Sequence, residues 1–351
     1  MTTVLKPAIG CPAPVSERRT ILLGHGSGGR LSAELLHDLF LPAFSNATLA
    51  RLDDQAVLPV GNARIAFTTD SFVVRPLFFP GGDIGSLAIN GTINDLAMAG
   101  ARPLWLSVAF ILEEGFPVDD LRRIVDSARA AAEAASVEIV TGDTKVVERG
   151  AADGLFINTS GIGLVPENLE LSCDRARPGD RVLLSGSLGE HGIAVLAARD
   201  GLGLTTTIAS DCSALHTLVE AMLAAAPGIR CMRDPTRGGL ASALNEIAAQ
   251  SSAAIELEEA AIPIGEQVRG ACELLGLDPL YVANEGKLVA VVAREAAESV
   301  LAAMRRHPLG RQAGIIGTVA NAPAGLVTLR TTLGTCRTVD MLAGDQLPRI
   351  C

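Results

Sequence analysis

Aromatic side chains are nearly missing from this sequence, whose 351 residues include one Trp, one Tyr and nine Phe. That scarcity argues against an aromatic-rich binding surface and for helices packed tightly on sheets through small aliphatic side chains. Basic residues are also few, 29 Lys and Arg against 39 Asp and Glu, which gives a formal net charge of −10. With no basic stripe to offset it, that balance excludes nucleic acid as a partner. No apolar run approaches the length of a membrane span, because charges or glycines interrupt each one, so a soluble protein is expected. The seven cysteines, at 11, 173, 212, 231, 272, 336 and 351, make no C-x-x-C pair and no zinc-like spacing. An odd count without a signal peptide points to a reducing compartment. Arg18-Arg19 has the outline of a twin-arginine export signal, but Gly24-His25-Gly26 cuts its apolar run short, and the expected location is the cytoplasm. Internal repeats and low-complexity tracts are absent as well.

What is present is enough chain and enough apolar content, 48%, for two cores. Residues 1–17 are proline-dotted and read as an irregular extension. A glycine loop at 24–29 precedes an amphipathic helix expected over 30–40, with Leu31, Leu35, Leu36 and Leu39 on one face. Strands are expected at 56–60 and 65–69, then a helix over 83–100 capped by Asp83 and packed through Gly85, Ala88, Gly91, Ala97 and Ala99. A strand at 104–112, a helix at 118–135 and strands at 137–141 and 156–164 complete a first domain, 18–166. Pro166, Pro178 and Gly179 mark a boundary. The second domain, 167–343, has strands expected at 181–185, near 281–293 and over 314–330, with a helix over 240–249. Residues 344–351 read as a polar tail. Strands and helices alternate without a strict βαβ order, so the expected class is α+β with mixed sheets packed by helices.

Gly24, Gly26 and Gly29 fit G-x-G-x-x-G, with Asp53 about where a dinucleotide-binding acid would stand. However, no apolar strand leads into Asp53, and the loop lacks the Lys-Ser/Thr of a Walker A motif. It still offers backbone amides to an anion. A second signal is the set Asp53-Asp54, Asp70, Asp95 and Asp143, read as acids at strand ends or tight turns beside Thr, Gly or Asn. Any one of them could cap a helix or close an Asx-turn. Together they suit magnesium, which takes hard oxygen ligands shared between carboxylates and phosphates. Arg233-Asp234-Pro235-Thr236-Arg237-Gly238-Gly239 opens a helix with two arginines and a hydroxyl, a composition that fits either an oxyanion site or an ordinary helix start. Glu285, in Asn284-Glu285-Gly286-Lys287, has nothing local that makes it more than a turn residue. Cys351 ends a breaker-containing tail; its thiol is a poor spontaneous nucleophile but suits the role of a carried acceptor.

In combination these segments resemble one family closely, the hydrogenase expression/formation protein HypE family. The motifs are HGSGG (25–29), TTDSFVV (68–74), PLFFPGGDIG (76–85), LAINGTINDLAMAGARP (87–103), GDTKVV (142–147), NTSGIG (158–163), RDPTRGGLA (233–241), NEGKL (284–288) and the terminal PRIC (348–351). The resemblance covers the chain from about residue 20. It implies the two-domain fold of aminoimidazole ribonucleotide synthetase (PurM), shared with selenophosphate synthetase and thiamin-monophosphate kinase, as a homodimer through the N-terminal domain.

It further implies that a carbamoyltransferase loads Cys351, that ATP and Mg2+ drive dehydration of the carbamoyl group to a thiocyanate, and that the cyano group passes to iron on a scaffold protein. On that resemblance Asp53, Asp70, Asp95 and Asp143 hold metal, while Gly26, Ser27, Gly28, Gly29, Asn94, Thr144, Asp234 and Arg237 hold nucleotide. Lys145 holds phosphate or polarises the amide, and Glu285 is the base. Two other readings stay open on the residues: a selenophosphate synthetase-like activity, which would not need Cys351, and a non-catalytic thiol-presenting module, which would not need nucleotide.

Overall fold

The computed structural model of the protein describes residues 20–44, 46–199, 203–204 and 206–344. The expected 1–17 extension, the tail from 345 onward and Cys351 lie outside the described residues. In the first half, apolar and polar residues alternate along Ala63–Phe72 and Leu155–Val165, so each makes a strand with one buried face. The strands in chain order are β1 (Ala56–Val60), β2 (Ala63–Phe72), a small hairpin of β3 (Phe78–Phe79) and β4 (Gly82–Asp83), β5 (Arg102–Glu113), β6 (Glu138–Val147) and β7 (Leu155–Val165). Apart from the hairpin they form one sheet in the order β1-β2-β7-β5-β6, antiparallel except for β5 with β6. β6 is longer than the sequence suggests. Asp143 therefore lies inside an edge strand and not at a turn.

The second sheet holds β8 (Arg181–Leu184), β9 (Ile229–Arg233), β10 (Ala254–Glu258), β11 (Val289–Val292), β12 (Gly314–Ala320), β13 (Val327–Arg330) and β14 (Cys336–Thr338). Their order is β14-β13-β10-β12-β8-β11-β9, with β10 and β13 the parallel pair. Both sheets are mixed and packed by helices, and the class is α+β. β7 ends at Val165 and β8 begins at Arg181, so the sheets fall on either side of the 166–179 segment.

The first helix, α1 (Arg30–Leu35), runs on through a wider turn at Leu36–Phe40 into α2 (Leu41–Phe44), past the end expected from the leucine spacing. It buries none of its side chains. The remaining helices are α3 (Ile84–Met98), α4 (Val118–Ala134), α5 (Glu190–Ala197), α6 (His216–Ala225), α7 (Gly239–Ser251), α8 (Glu266–Leu275) and α9 (Ala297–Arg306). None among the described residues is long and apolar enough to cross a membrane.

α3 is the pivot of the molecule. Asp83 caps it, accepting from the Gly85 amide at 2.7 Å and the Ser86 amide at 3.0 Å, while Ser86 Oγ accepts from the Asp83 amide. Thirteen of its fifteen residues are buried, because it lies against the first sheet on one side and helps build the second half's core through Ala97 and Met98 on the other. Such contact demands small residues. A Cβ on Gly85 would strike the Ile124 carbonyl, and one on Gly91 would lie 3.0 Å from the Phe72 ring. Asp95, grouped by sequence with acids at strand ends or turns, sits inside this helix.

Candidate active site

Where α3, the end of β2 and the turn before α7 converge, the chain leaves a cleft of ≈ 240 Å³. β2 supplies Asp70 with Thr69 and Ser71, and α3 supplies Asp95 and the bare backbone of Gly91. The turn after β9 supplies Asp234 and Arg237, and the loop before β11 supplies Glu285. Gly28 of the glycine loop closes one side, lying so near Arg237 that a Cβ would sit 2.7 Å from that residue's own. Of the candidate site residues, Gly28, Asp70, Asp95, Asp234, Arg237 and Glu285 thus meet in one place, together with Asp54 of the acid set.

The carboxylates of this cleft raise one another's proton affinity. Burial, then the neighbouring Asp234, Asp70 and Asp54, holds the Asp95 carboxyl well above the ordinary carboxylate range, with Thr68 Oγ1 donating to it at 2.6 Å. Burial raises Asp70 as well, and Arg237 offsets part of that. Burial also pushes Asp234 up to about 6 against the pull of Arg233. Glu285 is only 4% exposed, and burial together with Asp234, Asp211 and Asp70 lifts its carboxyl well above the usual range. Among the described residues, no three His, Cys, Asp or Glu side chains come together as a ready-made cation cage.

Behind the cleft, residues of the candidate motifs are tied to partners that nothing in the sequence singles out, Glu190, Asp211 and Glu246 among them. Arg233 donates to the Leu52 carbonyl at 3.0 Å, pairs with Asp54 at 3.2 Å and forms a close ion pair with Glu246. It is Asp54 that lines the cleft; Asp53 turns away to Arg51 at 3.1 Å and to the Ser172 hydroxyl. Asp54 Oδ2 is buried without a hydrogen-bond partner. Behind Glu285, Asn94 donates to its backbone carbonyl and to that of Ser213, both at 3.1 Å, and accepts from the Leu215 amide. Asn94 is therefore a brace for Glu285 and does not line the cleft. The Glu285 amide donates to Asp211, which also takes Lys287 Nζ at 3.0 Å, and Lys287 pairs in turn with Glu190. Asn284 fixes the same loop by accepting from the Gly189 amide and donating to the Pro235 carbonyl. Glu190, Asp211 and Glu246 carry no local sequence signal that points to this network.

Other expected site residues lie elsewhere. Asp143, Thr144 and Lys145 occupy the exposed edge strand β6, where Lys145 pairs with Asp143 at 2.8 Å. Register across the sheet runs Asp70 to Thr159, Thr159 to Val108 and Val108 to Gly142, so this group stands three strands from Asp70, roughly 14 Å at ordinary strand spacing. Here Lys145 and the Thr144 amide hold the Asp143 carboxyl below its usual range. In the glycine loop, the Gly28 amide donates to Ser32 Oγ at 3.0 Å, and Ser27 and Gly29 face the chain's own residues 342–344. Gly26 has open space where a Cβ would stand.

The family model for the N-terminal domain of AIR synthase related proteins matches residues 52–165, and that for the C-terminal domain matches 177–329. Carbamoyl dehydratase HypE of Azotobacter vinelandii is 60% identical over 327 residues, covering 93% of this chain and 96% of that protein. A crystal structure of the hydrogenase maturation protein HypE in complex with ATP is similar with a TM-score of 0.80 and 51% identity, over 95% of this chain and 100% of that one. HypE in the crystal structure of a HypE–HypF complex is similar with a TM-score of 0.83 and 49% identity, over 88% of this chain and 99% of that one.

Proposed function

This chain belongs to the HypE family of carbamoyl dehydratases, and we propose that it uses ATP to dehydrate an S-carbamoyl group on its own Cys351 to a thiocyanate. The observation that carries this reading is the meeting of a buried Glu285 with Asp70, Asp95, Asp234 and Arg237 in one cleft beside the glycine loop. An amide oxygen is a poor leaving group, so its loss calls for phosphorylation. The carbamoyl oxygen attacks the γ-phosphorus of ATP, ADP leaves, and the nitrogen gives up one proton. The C–O bond then breaks, phosphate departs and the nitrogen gives up its second proton, leaving the S–C≡N group. Glu285 takes these protons in turn, passing the first on before it accepts the second. Its raised proton affinity and its brace through Asn94 suit that work.

Arg237 contributes positive charge where the transferred phosphoryl group gathers negative charge. Magnesium fits the cleft chemically, since carboxylates that repel one another gain from a divalent cation. Asp70 and Asp95, with the unpartnered Asp54 oxygen near by, would hold it together with phosphate oxygens, and it would supply charge neutralisation there. Among the described residues these acids are not arranged as a ready-made cation cage, so metal and nucleotide are expected to bind jointly.

Lys145, Thr144 and Asp143 enter through a second copy of the chain. The outer face of the first sheet exposes Phe67, Trp105, Ile111 and Leu164, and β6 adds Ile139, Val140 and Val146. A homodimer closed across that face would cover these side chains and present β6 of one copy to the other. A carbamoyltransferase loads Cys351, consistent with a relative crystallised with HypF. Iron-bearing scaffold proteins of hydrogenase maturation take the cyano group. Glu285→Gln tests the chemistry: ATP binding should persist while dehydration falls about 10²- to 10⁴-fold. Full activity in that variant would remove Glu285 from the mechanism.

A further inference from the structure

Residues 339–344 belong to neither sheet, yet their backbone is held carbonyl by carbonyl. The Val339 amide donates to the Val327 carbonyl at 2.9 Å, the last bond to the second sheet. Asn245 of α7 donates to the Val339 carbonyl at 2.9 Å, and the Tyr281 hydroxyl donates to the Asp340 carbonyl at 2.8 Å. The Arg30 amide donates to the Leu342 carbonyl at 2.8 Å, and the Ser27 hydroxyl donates to the Gly344 carbonyl at 3.1 Å. Gly29 is glycine for the same reason, since a Cβ there would strike the Leu342 carbonyl. An irregular surface segment ordinarily leaves its carbonyls to water. This one gives four of them to donors from three separate parts of the chain.

The segment leads somewhere specific. Gly344 is tied to Ser27, whose neighbour Gly28 lines the cleft that holds Glu285. From Gly344 to Cys351 is seven residues, a reach of at most about 25 Å. We infer that Asn245, Tyr281 and the Ser27–Arg30 turn form a seat that fixes where the Cys351-bearing chain sets out, at the mouth of the cleft. The seat delivers the carbamoyl group to Glu285 of the same chain at high effective concentration. Asn245 and Tyr281 are positioning residues, since neither lines the cleft. The inference rests on the proposed dehydration of Cys351.

The test is the double variant Tyr281→Phe with Asn245→Ala, carbamoylated on Cys351 and given saturating Mg-ATP. In a single turnover, water loss from the adduct should slow roughly tenfold, the effect of two lost hydrogen bonds, with ATP half-saturation unchanged. The same substitutions in a Cys351→Ala background should leave untouched the dehydration of a synthetic S-carbamoyl peptide of residues 345–351 supplied in trans. Exchange of the Arg30 amide with solvent deuterium should quicken. Equal slowing in cis and in trans would mean these side chains hold the cleft itself, and would overturn the seat, as would an unchanged cis rate. If the unsubstituted chain fails to dehydrate its adduct, the proposed function falls. The seat is then judged by Arg30 exchange alone, and an unchanged exchange rate rejects it.

Discussion

Two acidic groups in this chain look alike in sequence and differ in every physical respect in the fold. Asp70, in Thr68-Thr69-Asp70-Ser71, and Asp143, in Thr141-Gly142-Asp143-Thr144-Lys145, both place a carboxylate among small and hydroxyl residues. Asp70 ends in a cleft whose crowded carboxylates are pushed toward holding protons. Asp143 ends on an open strand edge, its carboxyl held below the usual range by Lys145 and the Thr144 amide. The same motif chemistry thus gives a site short of positive charge in one place and a self-satisfied ion pair in the other. In the proposed homodimer, this exposed group of one copy would complete the cleft of the other.

The sharpest way to break that comparison is complementation. Glu285→Gln and Lys145→Ala chains should each be inactive, yet mixed and allowed to exchange partners they should regain about a quarter of the parent activity, because random pairing leaves one intact site in half the dimers. No recovery would assign Lys145 to its own chain's cleft. Next in size is Arg233→Met. Removing the guanidinium strands Asp54 and Glu246, which should cost about 3–5 kcal/mol in a denaturant titration. A change near zero would mean the network relaxes.

A smaller effect follows from the raised carboxyls. A group bound more tightly to its proton when folded stabilises the fold below its unfolded pKa and loses that contribution as pH rises through the folded value. For Asp234 the window runs from the ordinary carboxylate range up to about 6. The melting temperature without ligand should therefore fall as pH rises through that window, and Mg-ATP should flatten the slope. Smallest of all, Asp143→Asn should leave the melting temperature where it is, since both partners of its ion pair are largely exposed.

Local features were legible in the sequence. Asp83 caps its helix as its position demands, and the spaced Gly and Ala residues of α3 do allow the close packing their sizes suggest. The amphipathic helices α8 and α9 were open to the same reasoning, whereas short, almost wholly buried α5 offers little polar contrast to read. Contacts across the chain were not legible. Asn94 and Glu285 are 191 positions apart and joined by one hydrogen bond, and nothing near either residue announces the other. Asp53 and Asp54 show the limit most clearly: adjacent and chemically equivalent, they separate because Arg51 and Ser172 take one while Arg233 takes the other. The sequence puts the two acids forward together, and only the fold says which of them faces the cleft.

The most direct measurement of the proposed dehydration is the mass of the C-terminal peptide released by cleavage before Asp345. The chain is first carbamoylated on Cys351 and then incubated with and without Mg-ATP. The adduct should lose the mass of one water only when ATP is present, in step with phosphate release. An adduct that persists unchanged while ATP is bound or hydrolysed would contradict dehydration at Cys351.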